Sequence, residues 1–405
     1  MEIFKKTNFD FLGKKWPFII LSLLLTAFGL GSLWIKGGPK YGIDFTGGAL
    51  MDVNFIKRPP AENVRSVLHR KIAGDIEVQE ISNSQEMVIS TGGRDDQALQ
   101  RVRSDMIASL NGAYNRDTGG KLDINNASRK DLADRLRDPL TRGGVALSDD
   151  QLQALVKAIT AFRDSRSGLI HNLDDLSAVP GVTSKALSVI KQECFAGAFH
   201  MGSYEFVGPK IGADLRQQAI NVVLIALGAM LIYIAFRFEW IYGVAAVIAV
   251  FHDTIITIGL FSLLNKPIDL TVIAALLTLV GYSMNDTIVT FDRIRENLKL
   301  HVRGTFPDIV NLSINQTLSR TVLTSGLTFL TALSLFLFGG QVLNGFSLAL
   351  VIGIIIGTYS SIFVASPILV FWQNLAEGRA RGTRAPVSTR PASVSKTVKT
   401  AKTVK

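Results

Sequence analysis

The chain has 405 residues, 48% of them hydrophobic and 19% charged, with a mean hydropathy of +0.30. So apolar a chain with so little charge excludes an ordinary soluble enzyme and a disordered protein alike. The formal net charge is +10, but the stretch after Gly378 holds eight bases and no acid. The basic balance therefore describes a tail rather than a domain. A single cysteine, Cys194, excludes an internal disulfide framework and a Cys-rich metal site.

Six windows reach the roughly 20 apolar residues that a membrane span needs. They cover about 17–35, 217–236, 240–264, 270–291, 321–338 and 345–372. The first follows Lys14 and Lys15 like a signal peptide, yet it runs from Pro17 to Ile35 without a small-x-small cleavage site and ends beside Trp34. It is read as an uncleaved anchor. Lys5, Lys6, Lys14 and Lys15 precede it. Arg293, Arg295, Lys299, Arg303 and Arg320 fill the connection between the fourth and fifth spans, and the tail is purely basic. With six spans these segments share one side, and the positive-inside rule makes it the cytoplasm. Residues 1–16 are then a basic cytoplasmic N-terminus, 36–216 a periplasmic domain, 217–372 a five-helix bundle and 373–405 a cytoplasmic tail. The tail's composition favours disorder, with anionic lipid or ribosome-side contacts, or simple solvation, as its expected surroundings.

Within the periplasmic domain, residues 43–55 alternate like a strand around a Gly47-Gly48 break. Helical spacing of Val64, Val67, Leu68 and Ile72 covers 60–73, and short apolar strands follow at 76–82 and 86–92. A helix over 95–110 and a last strand over 203–211 complete a β-α-β-β-α-β order, which predicts a ferredoxin-like α+β sandwich. The last strand is delayed by a helical insert over 121–195. Asn125, Asn126 or Ser128 offers a helix cap at its start, and Pro180-Gly181 separates two helical runs at its end. The insert resembles a helix-hairpin-helix repeat, in whose DNA-binding form backbone N–H groups of a Gly-rich hairpin hold a phosphate. Thr183 replaces the second hairpin glycine, and 11 basic against 10 acidic residues between Lys121 and Glu193 leave the module almost neutral. A nucleic-acid face is distinctly basic. The insert is read as a packing or protein-contact module, and nucleic acid is not an expected partner.

Ionisable residues inside a span cost several kcal/mol and mark ion pathways or partner contacts (roughly 3 kcal/mol or more each). His252-Asp253 sits about halfway along the third span, Asn285-Asp286 lies in the fourth, and Arg320 opens the fifth. On antiparallel neighbouring helices Asp286 and Arg320 reach similar depth. Burial and an Arg partner pull the protonation of a carboxylate in opposite directions, so the pair suits a proton carrier and equally a static ion pair that joins helices. His252-Asp253 is either a second polar station or a pair hydrogen-bonded to neighbouring helices. The spans hold no other His and no Cys, so no metal site is expected there, and no cofactor motif is found. Gly353-x-x-x-Gly357, Gly281 with Ser283, and Ser325-Gly326 are small residues that allow close helix approach. Thr46-Gly47-Gly48 has no following Lys-Ser/Thr and is no phosphate loop; it is read as a bend where the domain meets its anchor.

The stretches YGIDFTGG (41–48), FVGPKIGADL (206–215, with Gly208-Pro209), FHD (251–253), GYSMNDTIVTFDRIREN (281–297), NQTLSRTVLTSG (315–326), FGG (338–340) and GTYSSIFVASP (357–367) resemble the SecF family. They cover both ends of the outer domain and four of the six spans. The resemblance implies an inner-membrane, non-enzymatic subunit of the RND superfamily type, paired with SecD and working beside the SecYEG channel and a YajC-like subunit. It implies use of the proton-motive force to draw preproteins across the membrane. It carries the family's membrane carboxylate onto Asp286 and its arginine onto Arg320, with FHD matching at Asp253. The insert departs from the common family domain, leaving the substrate-contact surface open. A stand-alone RND-type small-molecule exporter and a DNA-uptake membrane protein using the insert are the competing readings. Pumps of the first kind have twelve spans in one chain, and this sequence has half that number.

Overall fold

The computed structural model describes residues 7–382, except 73, 75, 82–83, 93–95, 116–117, 238–239 and 341. Lys5, Lys6 and residues Thr383–Lys405 of the tail lie outside the described residues, while the tail's first positions, 373–382, are not irregular but continue the last helix, Ser366–Gly382. The chain divides into two units: one of Lys36–Leu227 with Leu264–Ala274, and a helical one formed by the remainder.

Helix α1 (Lys15–Ile35) is the first span. Beyond it, the chain enters the first unit with a helical turn, α2 (Ile43–Thr46), and strand β1 (Gly48–Phe55). The strand expected over 43–55 thus begins only at Gly48. Asp44 is used elsewhere: its carboxylate accepts the Leu270 N–H at 2.9 Å, where an anion complements the exposed donors of a helix start. Gly42 and Ile268 also exchange backbone bonds with this stretch (Gly42 N–H to Ile268 O, 2.8 Å; Ile268 N–H to Lys40 O, 2.7 Å). Gly47 has φ +72°, and a Cβ there would lie 2.6 Å from Pro209 Cα. Only glycine fits both the left-handed backbone and that approach.

Helix α3 (Ala61–Leu68), strands β2 (Ile76–Glu80) and β3 (Glu86–Thr91), and α4 (Asp96–Tyr114) follow. The insert holds β4 (Leu122–Asp123), α5 (Arg129–Arg142), α6 (Asp149–Asp164), a 3-10 turn (Leu173–Ala178), α7 (Ser184–Glu193) and β5 (Cys194–Phe195). Strand β6 (Phe199–Val207) closes the unit's sheet, ordered β2-β3-β1-β6 with antiparallel neighbours. This is the ferredoxin-like arrangement: β3 lies between β1 and β2, and β1 between β3 and β6. The last strand starts at Phe199 rather than 203 and ends at Val207, because Pro209 opens the next helix. Proline is preorganised for that position and has no N–H to leave unpaired.

Met51, Val53, Phe55, Ile89, Met106 and Phe199 anchor the sheet core, while Leu132, Leu136, Val156, Ile159 and Ile190 form a second core inside the insert. Ser128 caps α5 and Ser148 caps α6, each in a reciprocal capping box. Asn125 and Asn126, cap candidates by sequence, bond elsewhere. Asn125 is fully buried; its amide donates to Ile170 O (3.2 Å) and Gly197 O (2.8 Å), and its carbonyl accepts from Ile170 N–H (2.9 Å). Asn126 bonds Phe199 O (2.9 Å) and Met201 N–H (2.8 Å), pairing with β6 as one rung of a strand would. Burial lowers the His200 imidazole, whose Nδ1 meets the Asn125 carbonyl. Burial also raises the neighbouring Asp123 carboxyl and pushes the Cys194 thiol up to about 12. Asn125→Ala strands three buried backbone groups and costs the insert about 3 kcal/mol. The expected readout is faster amide exchange at Ile170, with β1 amides unchanged.

The remaining helices are α8 (Pro209–Arg237), α9 (Trp240–Leu263), α10 (Leu270–Lys299), α11 (Phe306–Phe338), α12 (Asn344–Ser360), a π-helical turn (Ser361–Ala365) and α13 (Ser366–Gly382). Among the described residues, six helices are long and apolar enough to cross a membrane. In the helical unit, Ser22, Gly29 and Ser32 meet His252, Gly259 and Ser262, so α1 and α9 run parallel. Asp253 meets Ser283, and Tyr242 meets Phe291, so α9 and α10 are antiparallel. Asn297 reaches Ser313 (2.8 Å) while Asp286 reaches Thr321, so α10 and α11 are also antiparallel. This alternation is what successive spans require.

Candidate functional site

Asp286 lies on α10 and is 7% exposed. Its Oδ1 accepts from Thr321 Oγ1 of α11 at 2.7 Å, and its Oδ2 from Ser361 Oγ of the π-helical turn at 2.9 Å. A seam of small residues brings these helices together. A Cβ on Gly353 would lie 2.4 Å from Leu279 Cδ2, and one on Gly357 would lie 3.0 Å from Ser283 Cβ. Gly353, Gly357 and Ser361 are spaced by four and so share one face of their helix, with Leu279, Ser283 and Asp286 opposite. The π-helical turn falls just before Ser366-Pro367. A proline inside a helix removes one N–H and crowds the preceding turn, which the wider turn accommodates.

Arg320 is an exposed residue within α11, which begins at Phe306 rather than at the start of the apolar run. Among the described residues, no ion pair within 4 Å joins it to Asp286; Thr321, one position on, makes the contact instead. The helix continues smoothly past both residues because the polar 306–320 segment is helical too.

The second polar station is held more tightly. Asp253 is 1% exposed. Its Oδ1 faces His252 Nδ1 at 2.9 Å and its Oδ2 accepts from Ser283 Oγ at 2.6 Å. His252 Nε2 in turn meets Ser22 Oγ of the first span. Ser283 is one helical turn before Asp286, so the two carboxylates sit beside the same face of α10. Three further hydroxyls near this face are buried without a hydrogen-bond partner: Tyr282 Oη, Ser325 Oγ and Ser360 Oγ. Asn285 and Gly281 are exposed, and a Cβ on Gly281 would meet nothing within 4 Å. In the other unit, Gly47, Gly48, Gly208 and Pro209 come together where β1 begins and α8 starts; Gly212 N–H donates to Gly208 O at 2.9 Å.

Sequence alone does not mark the hydroxyl partners Ser22, Ser283, Thr321 and Ser361 as site residues. Serine and threonine in spans commonly bond the carbonyl one turn back, as Thr287 does to Ser283 O and Thr290 to Asp286 O. Only spacing against a carboxylate on a neighbouring helix separates the two uses. Chemically, Asp286 has two hydroxyl donors for its charged form and no contacting cation among the described residues. A buried carboxylate so placed is neutralised most simply by a proton. Among the described residues no three His, Cys, Asp or Glu side chains gather as a metal ion would need.

Residues 188–375 match the family model of the protein export membrane protein SecD/SecF C-terminal region, and 32–55 match the SecD/SecF GG motif. The protein translocase subunit SecF of Koribacter versatilis is 47% identical, over 92% of this chain and 94% of its own length. That of Calditerrivibrio nitroreducens is 35% identical, over 93% of this chain and 98% of its own. The crystal structure of SecDF, a translocon-associated membrane protein from Thermus thermophilus, superposes with a TM-score of 0.61 at 32% identity, covering 91% of this chain. This chain spans 39% of the SecDF chain's length.

Proposed function

The chain belongs to the SecF family of protein translocase subunits, and from that premise we propose that it couples proton movement at Asp286 to preprotein translocation in partnership with SecD. It is an accessory subunit of the Sec translocase. The SecDF relative of Thermus thermophilus carries both halves in one chain and supports SecD as the partner. SecYEG and a YajC-like subunit are the expected further neighbours, and the role involves no covalent catalysis.

The observation that carries the proton reading is a carboxylate inside a span, buried, served by hydroxyls from two other helices and, among the described residues, by no cation in contact. Loading a proton removes a charge from this setting, and unloading restores it. The protonation state thereby biases how α10, α11 and the π-helical turn pack. Arg320 and the His252–Asp253 pair are the proposed companions of Asp286 in the relay. Lys14, Lys15, Arg293, Arg295, Lys299 and Arg303 support an inner-membrane orientation with both termini in the cytoplasm and the sheet unit in the periplasm. There the sheet unit would hold or release the emerging chain.

Cells depleted of their own SecF and supplied with this chain and its cognate SecD test the assignment. Restored preprotein export, with SecD recovered alongside the chain, is expected. Membrane insertion without either would contradict it.

A further inference from the structure

Thr321 and Ser361 serve Asp286 unequally. Thr321 directs its hydroxyl at Asp286 Oδ1. Ser361 has one hydroxyl proton and two acceptors in reach, Asp286 Oδ2 at 2.9 Å and the Thr358 carbonyl at 3.0 Å. The π-helical turn that starts at Ser361 holds it there: Ser366 Oγ donates to Ser361 O at 2.9 Å, five residues back, and both serines are fully buried. Such turns recur at functional sites. Beside it, Ser360 Oγ is buried without a hydrogen-bond partner among the described residues.

We propose that Ser361 is a positioning residue that exchanges acceptors as Asp286 takes up and releases its proton. With Asp286 charged, Ser361 donates to Oδ2. When a proton arrives on Oδ2, the acid becomes the donor; Ser361 Oγ accepts from it and turns its own proton to the Thr358 carbonyl. One hydroxyl rotation suffices for the exchange, and the Asp286–Ser361 hydrogen bond persists in both states with its direction reversed. Without the second acceptor, two hydrogens would meet between Oδ2 and Oγ. The charged and titratable groups around this step are Arg320 on α11, Tyr282 on α10, Tyr359 on α12, and the His252–Asp253 pair on α9, which ends at Ser283. None of them bonds Ser361 among the described residues.

This inference rests on Asp286 as the proton carrier, and one experiment separates the two. Infrared titration of the full chain in lipid bilayers follows the C=O stretch of protonated carboxyls, and the band lost in Asp286→Asn identifies Asp286. The inference expects that band to be displaced in Ser361→Ala, because the protonated acid has lost its acceptor. Ser361→Cys, with a weaker sulfur acceptor, should displace it less. A band at the wild-type position in both variants overturns the acceptor exchange and leaves the carrier reading standing. If no Asp286→Asn-sensitive band is seen at any pH, Asp286 never holds a proton and both ideas fall.

Discussion

Asp286→Asn is expected to leave the chain folded, inserted and bound to its partner, yet to reduce export in SecF-depleted cells to the level of cells without the chain. The variant is nearly isosteric. Its Oδ1 still accepts from Thr321, and its Nδ2 finds Ser361 Oγ as an acceptor, since that hydroxyl can turn to the Thr358 carbonyl. Both side-chain contacts of the carboxylate are thus retained, so the packing of α10, α11 and the π-helical turn holds. What disappears is the ability to alternate between a neutral and a charged form. A folded, partner-bound variant that rescues export normally would move the proton step elsewhere, and Asp253 would be the next carboxylate to test.

Gly259→Leu should clearly destabilise the helical unit. At the crossing of α1 and α9 a Cβ on Gly259 would lie 2.6 Å from Gly29 Cα, and one on Gly29 would lie 2.9 Å from Gly259 Cα. The obstacle in each case is backbone, which cannot rotate away. The helices must separate, and the Ser22–His252 contact on one side of the crossing and the 2.8 Å Ser32–Ser262 bond on the other are lost. Overpacking of this kind costs about 2 kcal/mol, before the freed polar groups are counted. Gly281→Leu provides the contrast: a Cβ there meets nothing within 4 Å, and its effect should stay within about 0.5 kcal/mol. Thermal unfolding of the two full-length variants in detergent, read side by side, checks this. Equal loss in both would refute the role given to the Gly29–Gly259 crossing.

Much of this architecture is visible in the amino acids. Runs of about 20 apolar residues are hard to satisfy outside a membrane, which is why each of the six runs falls on a helix long enough to cross one, although α8, α10 and α11 extend well beyond the apolar windows. The β-α-β-β-α-β order also survives in the sheet. Errors fall where local pattern and tertiary contact disagree. Ile43–Thr46 alternates like a strand but closes into a helical turn, because Asp44 and Gly42 are drawn to the Ile268–Leu270 backbone. Phe199–Gly202 does not alternate cleanly, so the first rungs of β6 are recognised only through Phe55 and Asn126 across from them.

The functional residues divide in the same way. Asp253 and Asp286 stand out as charges among apolar side chains. The hydroxyls that hold them do not, since a threonine bonding its own helix and one bonding a carboxylate look alike in sequence. Arg320 illustrates the resolution limit of depth arguments. Asp286 and the start of the fifth apolar run do lie at one level, but adjacent helical residues differ by about 100° in direction. That rotation gives the contact to Thr321 rather than to Arg320.

The central claim is that a proton gradient drives preprotein movement through Asp286. The most direct test uses membrane vesicles containing the translocase, SecD and this chain, with a preprotein halted partway and ATP exhausted. Imposing a pH gradient should move the halted preprotein forward with the wild-type chain and leave it stationary with Asp286→Asn. Equal movement with both chains, or none with either, would contradict the claim.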